Sequence, residues 1–195
     1  MKKCLVIIDM IHGFIHEGAL SDSSIDKITP NIVSLTKYFI EKDYPILNFQ
    51  DSHDENANEF MAFPPHCLKE SHEAELIDEL VPFKNKMVTL YKNSTNGFMH
   101  PDFINVFDKI HADEFICVGC CTDICVLQFA LSLKGYINQH NLKVGVSVVR
   151  DTVETFGLPG HEQGQFNEMA ITLMANAGIK IIDSYKEIME WQIKN

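Results

Sequence analysis

The sequence predicts a three-layer αβα sandwich around a six-stranded, mainly parallel β-sheet of the Rossmann-like kind. Short apolar runs rich in β-branched residues alternate along the chain with longer amphipathic stretches, which is typical of parallel sheets with helices on both faces. The 195 residues, 46% of them hydrophobic, suffice for one sizeable core. Because no linker, internal repeat or low-complexity segment interrupts the pattern, we expect a single domain over residues 1–195.

Each element follows from a local pattern. The predicted strands are residues 4–8, 46–49, 87–91, 115–118 with a break at Gly119, 144–149 and 179–182. The predicted helices are residues 31–42, 73–80, 102–110, a helix after Gly119, 162–177 and a last helix from about residue 185. Pro30 and Pro101 stand near two helix starts, and Gly178 is expected to end the helix before it.

The fourth strand and its helix form the most informative stretch. Thr122 and Asp123 offer N-cap chemistry after Gly119, so Cys125 is predicted to lie in the first helical turn. The positive end of the helix dipole favours a thiolate there, and free backbone N–H groups could hold an oxyanion. This pattern predicts a nucleophile, with an ordinary buried thiol as the alternative.

Other reactive side chains are predicted at the same edge of the sheet. Asp9, Asp51 with His53, and Lys92 follow the first three strands. Ligands bind at the carboxyl ends of strands in open α/β sheets, so these groups are expected to meet Cys125. An aspartate can accept a thiol proton, and a lysine keeps that carboxylate charged. Helix capping by Asp9 and a solvated Lys92 are the simpler alternatives.

A second cluster follows the second strand. Its members are Asp51, His53, Glu59 and His66. Two imidazoles and two carboxylates suit a divalent ion such as zinc, iron or manganese, in an open site with water at the remaining positions. The alternative is an acidic, histidine-containing surface loop. The other seven histidines show no partner pattern and are interpreted as surface residues.

Composition excludes several classes of function. A formal net charge of −11 argues against a nucleic-acid partner. The sequence has no apolar run long enough to cross a membrane and no signal-peptide cleavage pattern. Six cysteines without framework-like spacing fit a reducing compartment, so we expect a cytoplasmic protein. Neither a dinucleotide fingerprint nor a P-loop is present.

Together these residues resemble the nicotinamidase/pyrazinamidase branch of the isochorismatase-like cysteine hydrolases, over nearly the whole chain. The matching motifs are Ile7-Ile8-Asp9 with Phe14, Asp51-Ser52-His53, Glu59, Phe63-Pro64-Pro65-His66, Lys92 followed by Phe98, and Gly119-Cys120-Cys121-Thr122-Asp123-Ile124-Cys125-Val126. The resemblance implies an isochorismatase-like fold. It also implies hydrolysis of nicotinamide, and of pyrazinamide, to the acid and ammonia through a thioester, in NAD salvage.

The resemblance further implies a role for each matching residue. The catalytic triad corresponds to Asp9, Lys92 and Cys125. The ligands of one divalent metal ion, zinc before iron or manganese, correspond to Asp51, His53, Glu59 and His66. The oxyanion hole corresponds to the backbone N–H groups of Cys121 and Cys125, beside a non-proline cis peptide bond between Cys120 and Cys121. The substrate-binding positions correspond to Phe14, Phe63, Cys120 and Cys121. A homo-oligomer is also implied.

Two departures from the family pattern bear on the pocket wall. Ile11 stands where the family commonly has glutamine, and residues 93–98 differ from the commonest version. One alternative function is a related cysteine amidohydrolase acting on a carbamoyl or ureido compound, although those members lack the metal loop. A true isochorismatase fits less well because that branch lacks the cysteine. A catalytically silent metal-binding or partner-binding α/β domain is the alternative from another class.

Overall fold

The computed structural model describes residues 2–190, and its centre is one six-stranded sheet. The strands are β1 (Lys3–Ile8), β2 (Ile46–Asp51), β3 (Val88–Lys92), β4 (Glu114–Cys120), β5 (Gly145–Glu154) and β6 (Lys180–Ile182). Their order is β3-β2-β1-β4-β5-β6, and each neighbouring pair is parallel. The predicted fold class is therefore confirmed.

Helices cover both faces of this sheet. They are α1 (His12–Ile15), α2 (Thr29–Glu41), α3 (Phe103–Ile110), α4 (Leu127–Gln139), α5 (Gln163–Asn176) and α6 (Tyr185–Glu190). Any continuation of α6 past residue 190 lies outside the described residues. Gly178 follows α5 with φ 82°, and its N–H bonds the carbonyl of Ala175, as predicted for a left-handed helix end. No helix among residues 2–190 is long and apolar enough to span a membrane.

Alternating side chains of the strands divide the core into two layers. On β1, Val6 and Ile8 pack in the layer that also contains the apolar faces of α3, α4 and α5. Leu5 and Ile7 point the other way, into the layer that contains α2 and α6. The period of two along a strand explains why an unbroken apolar run serves a sheet buried on both faces.

The prediction of a helix over residues 73–80 is wrong. Only the short 3-10 turn His72–Ala74 forms there. Instead, the N–H of Ile77 bonds the carbonyl of Met10, and Leu76 forms an antiparallel bridge with Ile11. Leu76 and Ile77 are buried by this pairing. The tertiary contact satisfies the backbone of the segment and overrides its helical periodicity.

The strand order fixes where a ligand can bind. The chain passes from β1 to β2 on one side and reaches β4 on the other, so the order reverses between β1 and β4. Crevices form outside the carboxyl ends of strands at such a point. Gly119 lies at this point with φ 117°, and a Cβ there would come within 2.0 Å of the Ile8 carbonyl oxygen. Only glycine allows β4 to approach β1 so closely.

Candidate active site

Three of the predicted reactive residues meet at the carboxyl edge of the sheet. Asp9 follows β1, Lys92 ends β3, and Cys125 lies after β4. The Nζ of Lys92 is 2.7 Å from Oδ2 of Asp9 and 3.9 Å from the Sγ of Cys125. Lys92 also forms an ion pair with Asp51, whose backbone N–H donates to Oδ1 of Asp9. All four side chains are buried.

The protonation states of this group follow from its burial. Burial and the neighbouring Asp51 raise the pKa of Asp9 to about 7, although Lys92 opposes them. Burial disfavours the Lys92 cation, yet Asp51 and Asp9 outweigh it and hold the pKa of Lys92 well above its ordinary value. An aspartate whose pKa lies near neutrality is suited to accept and return a proton.

The prediction that Cys125 is a thiolate is wrong for the resting protein. Burial raises the pKa of the Cys125 thiol well above its ordinary value, and Lys92 does not offset it because Asp9 and Asp51 also disfavour the anion. The resting residue is therefore a neutral thiol, and a base must remove its proton during reaction. Asp9 is in place for this, since the Lys92 ammonium lies 2.7 Å from Oδ2 of Asp9 and 3.9 Å from the Cys125 sulfur, and so brings the two groups to the same point.

The turn that carries Cys125 also differs from the expectation. Thr122–Val126 is a π-helical turn, and Cys121 occupies the N-cap position without a side-chain bond. The Asp123 carboxylate accepts a hydrogen bond from the Thr155 hydroxyl instead of capping the helix. The prediction that Thr122 or Asp123 caps this helix is therefore wrong.

Cys120 and Cys121, which precede this turn, were expected to form a cis peptide bond and to contact the substrate. The expected cis peptide bond between Cys120 and Cys121 is present. The Cys120 thiol donates to the Asp9 carbonyl at 3.0 Å, in the interior. Cys121 lines the cavity described below and Cys120 does not, so the substrate contact of Cys120 stays a prediction.

The four predicted metal ligands lie together in the structure. One ligand atom from each of Asp51, His53, Glu59 and His66 lies within 4.8 Å of the others. The Nε2 of His53 is 3.6 Å from Oδ2 of Asp51 and 3.9 Å from Oε1 of Glu59. The Nε2 of His66 is 3.9 Å from the same Asp51 oxygen. These separations are too long for hydrogen bonds and suit ligands around a common centre.

The bonding of these side chains tests whether a cation fits. Oδ2 of Asp51, Nε2 of His53 and Oε1 of Glu59 are buried without a hydrogen-bond partner. The opposite atoms of the same side chains are held, since Oδ1 of Asp51 binds Lys92, Nδ1 of His53 lies 3.3 Å from Oδ1 of Asn93, and Oε2 of Glu59 accepts from the Thr95 N–H at 2.8 Å. Buried polar atoms left unpaired are costly. Their convergence therefore fits a divalent metal ion.

One cavity of about 290 Å³ joins the two clusters. Cys125 lines it together with Asp51, Glu59 and His66. The other lining residues are Phe14, Ala19, Leu20, Ser21, Asp22, Phe63, Thr95, Cys121, Ile124, Phe156, Gly157 and Leu158. Phe14 and Phe63, predicted from the resemblance, are both present. The walls are mostly apolar, and no lysine or arginine lines them in the described part of the chain.

Sequence reasoning missed part of this lining. The missed residues are Phe156, Gly157 and Leu158, which lie in the loop after β5. Strand β5 ends at Glu154 and not at Val149 as predicted. The signal was available, because any loop at the carboxyl end of a strand belongs to the ligand-binding edge.

Two histidines interpreted as surface residues without partners do have partners, and one of them is buried. His12 is buried, and its ring stacks on that of His72 with 4.2 Å between centroids. The Nε2 of His161 lies 2.8 Å from Oδ2 of Asp123, and its ring stacks on that of Phe156 at 4.0 Å. Their partners lie far away in sequence or across loops, so a local pattern could not reveal them.

Comparison with known proteins places these features in context. The family model described as "Isochorismatase domain" matches residues 3–184. Nicotinamidase 1 of Arabidopsis thaliana is 33% identical over 178 residues, which is 80% of this chain and 71% of the relative.

Solved structures have the same architecture. Nicotinamidase PncA from Bacillus subtilis superposes with a TM-score of 0.79 at 26% identity, covering 94% of this chain and 100% of the other. A pyrazinamidase of Pyrococcus horikoshii in complex with zinc gives 0.75 at 25% identity, covering 94% and 99%. N-carbamoylsarcosine amidase from Thermoplasma acidophilum gives 0.77 at 23% identity, covering 93% and 96%, which is a likeness of fold alone.

Proposed function

Because the chain belongs to the isochorismatase family of hydrolases, we propose that it is a metal-dependent cysteine amidohydrolase that converts nicotinamide to nicotinate and ammonia. The observation that carries the proposal is the shared cavity. A buried cysteine beside an Asp–Lys pair and a four-ligand metal cluster open onto the same apolar space. A flat ring with an amide at one side and a nitrogen at the other matches that arrangement.

In the proposed reaction, Asp9 accepts and returns each proton. Asp9 takes the proton of Cys125 while the sulfur attacks the amide carbon. The backbone N–H groups of Cys121 and Cys125 are assigned to the developing oxyanion. Asp9 then gives its proton to the leaving ammonia, and a thioester to Cys125 remains. Water, deprotonated by Asp9, attacks the thioester and breaks its C–S bond. Asp9 returns that proton to the Cys125 sulfur, and the new carboxylic acid loses its own proton to solvent and leaves as nicotinate. Lys92 keeps Asp9 ionised between these transfers.

The metal cluster is assigned to substrate orientation. Asp51, His53, Glu59 and His66 would hold the ion, and zinc is favoured by the zinc complex of the pyrazinamidase relative. When bound, a divalent ion would supply a Lewis acid for a ring nitrogen. Phe14 and Phe63, on the walls of the same cavity, would hold the ring.

The cavity lining separates this proposal from a carbamoyl amidohydrolase. A substrate such as N-carbamoylsarcosine carries a carboxylate, which requires a cationic partner when it leaves water. Among residues 2–190 no arginine or lysine lines the cavity, and Lys92 is engaged by Asp9 and Asp51. An uncharged aromatic amide meets no such requirement.

The setting of the enzyme extends the proposal. We assign it to NAD salvage in the cytoplasm, as a single domain over residues 1–195 that forms a homo-oligomer, acts on a small amide and binds neither nucleic acid nor membrane. The six cysteines, all buried and free, support a reducing compartment.

Ammonia release from nicotinamide tests the proposal directly. Purified protein is assayed as prepared, after chelation, and after zinc, iron or manganese is added back, with N-carbamoylsarcosine as the competing substrate. Metal-dependent release from nicotinamide is expected. Preferential release from the carbamoyl compound, or no release from either by metal-loaded protein, would contradict the proposal.

A further inference from the structure

The loop after β5 forms one wall of the cavity and is closed on itself. We call residues 156–161 the roof segment. Phe156, Gly157 and Leu158 line the cavity. Two backbone bonds between Leu158 and His161, of 3.1 and 2.9 Å, close the segment into a tight turn. Its shape therefore depends on how His161 is held.

His161 is held by four contacts with three residues. Its ring lies between those of Phe156 and Phe166, with centroids 4.0 and 3.7 Å away. Its Nδ1 is 3.1 Å from the Phe156 carbonyl oxygen, and its Nε2 is 2.8 Å from Oδ2 of Asp123. The imidazole thus fixes the plane of Phe156, a cavity wall, and binds a carboxylate outside the roof segment.

Asp123 connects the roof segment to the turn that carries Cys125. It lies two residues before Cys125 in the turn Thr122–Val126. Its second oxygen accepts a hydrogen bond from the Thr155 hydroxyl at 2.5 Å, so one carboxylate binds both ends of the loop. A second carboxylate also binds the roof segment, since Asp22 accepts a hydrogen bond from the Gly157 N–H at 2.9 Å.

We propose that His161 is a positioning residue that sets which acyl groups reach Cys125. Its bond to Asp123 holds Phe156 and Leu158 at a fixed distance from Cys125, so that the cavity admits one flat ring and rejects larger groups. The assignment of an aromatic amide rests on the proposed function. The control of access to Cys125 by size does not, because it concerns any reagent that enters the cavity.

The substitution His161→Phe isolates the hydrogen bonds from the stacking. A phenyl ring preserves the contact with Phe156 and Phe166 but cannot bond Asp123. Asp123→Asn is the reciprocal change and removes the charge from the other partner. The matched control is His140→Phe, since His140 is exposed and its ring also lies near an aromatic neighbour, Tyr136, at 4.4 Å.

Two reagents of different size measure access to Cys125. Iodoacetamide and the bulkier N-ethylmaleimide are reacted with each variant, and fragmentation mass spectrometry assigns the modified cysteine. The ratio of the bulky to the small rate constant is expected to rise about tenfold in His161→Phe and in Asp123→Asn, the size expected when one charge-assisted hydrogen bond is lost. His140→Phe is expected to keep the wild-type ratio.

Steady-state kinetics supply a readout that general loosening of the fold would not give. KM for nicotinamide is expected to rise about tenfold in His161→Phe, while kcat changes less, because the ring wall is displaced and Asp9, Lys92 and Cys125 are not. Wild-type ratios and KM in both variants would overturn the proposal. A wild type inactive on nicotinamide would instead reject the proposed function, and the labelling ratios would still decide the role of His161.

Discussion

The two polar clusters of the cavity share one residue and differ in how their charge is compensated. Oδ1 of Asp51 faces Lys92, which also binds Asp9, so this cluster contains its own cation. Oδ2 of Asp51 faces His53, Glu59 and His66, where three buried atoms lack a hydrogen-bond partner. The first cluster contains the cation that compensates its carboxylates, whereas the convergent unpaired atoms of the second fit a cation from outside the chain.

This difference separates proton handling from ligand orientation. In the cluster with its own cation, the pKa of Asp9 is about 7 and the thiol of Cys125 is neutral, so a proton can move between them. In the other cluster, His53 and Glu59 each have one unpaired atom, and the opposite atoms of these side chains are bonded to Asn93 and Thr95. Because the clusters meet only at Asp51, substitutions on either side of it should have separable effects.

Removing the sulfur should have the largest effect. In Cys125→Ala, kcat is expected to fall by about 10⁶-fold, since the loss of a catalytic nucleophile removes the covalent pathway. The zinc content measured by atomic absorption should stay at the wild-type value. Retention of substantial ammonia release would disprove the thioester route.

Removing the internal cation should have the next largest effect. Lys92→Met leaves Asp9 and Asp51 buried without their counter-ion, and breaking a buried pair in this way costs about 3–5 kcal/mol of unfolding free energy. Urea denaturation followed by circular dichroism measures the change. The exposed Lys109→Met serves as control and should have little effect. Equal midpoints for the two variants would show that Lys92 does not compensate these carboxylates.

Removing one ligand of the second cluster should act on metal binding. In His53→Ala the affinity for zinc is expected to fall by about 100-fold or more, because even the loss of an indirect metal contact costs 10–100-fold. Zinc at about 100 times its Kd should stabilise the wild type by about 2.7 kcal/mol. The stabilisation should be much smaller in His53→Ala and unchanged in the control His140→Ala. Full stabilisation of His53→Ala would exclude His53 as a ligand.

The smallest effect concerns the hydrogen bond between Asp22 and the roof segment. Burial alone would raise the pKa of Asp22, but hydrogen bonds from the Gly157 and Ser24 N–H groups outweigh it and lower the value. A folded-state pKa below the unfolded value of about 3.9 stabilises the protein above that pH. The stabilisation is lost as pH falls through the folded-state pKa.

Asp22→Asn measures this contribution. Its urea midpoint should be lower than that of the wild type at about pH 6, and the gap should close below about pH 3 because the wild-type carboxyl is then protonated as well. The exposed Asp108→Asn should show a smaller gap. A gap at Asp22 that is independent of pH would show that its carboxylate charge contributes nothing.

The part of the fold set by local pattern could be predicted from the sequence. Asp9 and Lys92 were placed correctly because each follows an apolar run, and a parallel sheet brings the ends of its strands to one edge. The four predicted metal ligands also lie together as expected. Asp51 and His53 are on one extended segment, and the loop that follows brings Glu59 and His66 back to it. Short-range rules and one topological rule account for these successes.

The features that were missed depend on distant partners. Leu76 pairs with Ile11, so residues 73–80 are not a helix. Asp123 bonds Thr155 and His161 rather than the helix that follows it. The pKa of the Cys125 thiol is raised first by burial and then by Asp9 and Asp51, none of which the dipole argument for its turn included. Each case needed contacts that only the folded chain supplies.

The acyl-enzyme is the most direct test of the account. Metal-loaded protein is mixed with nicotinamide, quenched in acid within the first turnover, and examined by mass spectrometry of the intact chain and of its Cys125 peptide. The account predicts one nicotinoyl group on Cys125, absent from Cys125→Ala. Ammonia release without any adduct on Cys125, or an adduct on another residue, would contradict it.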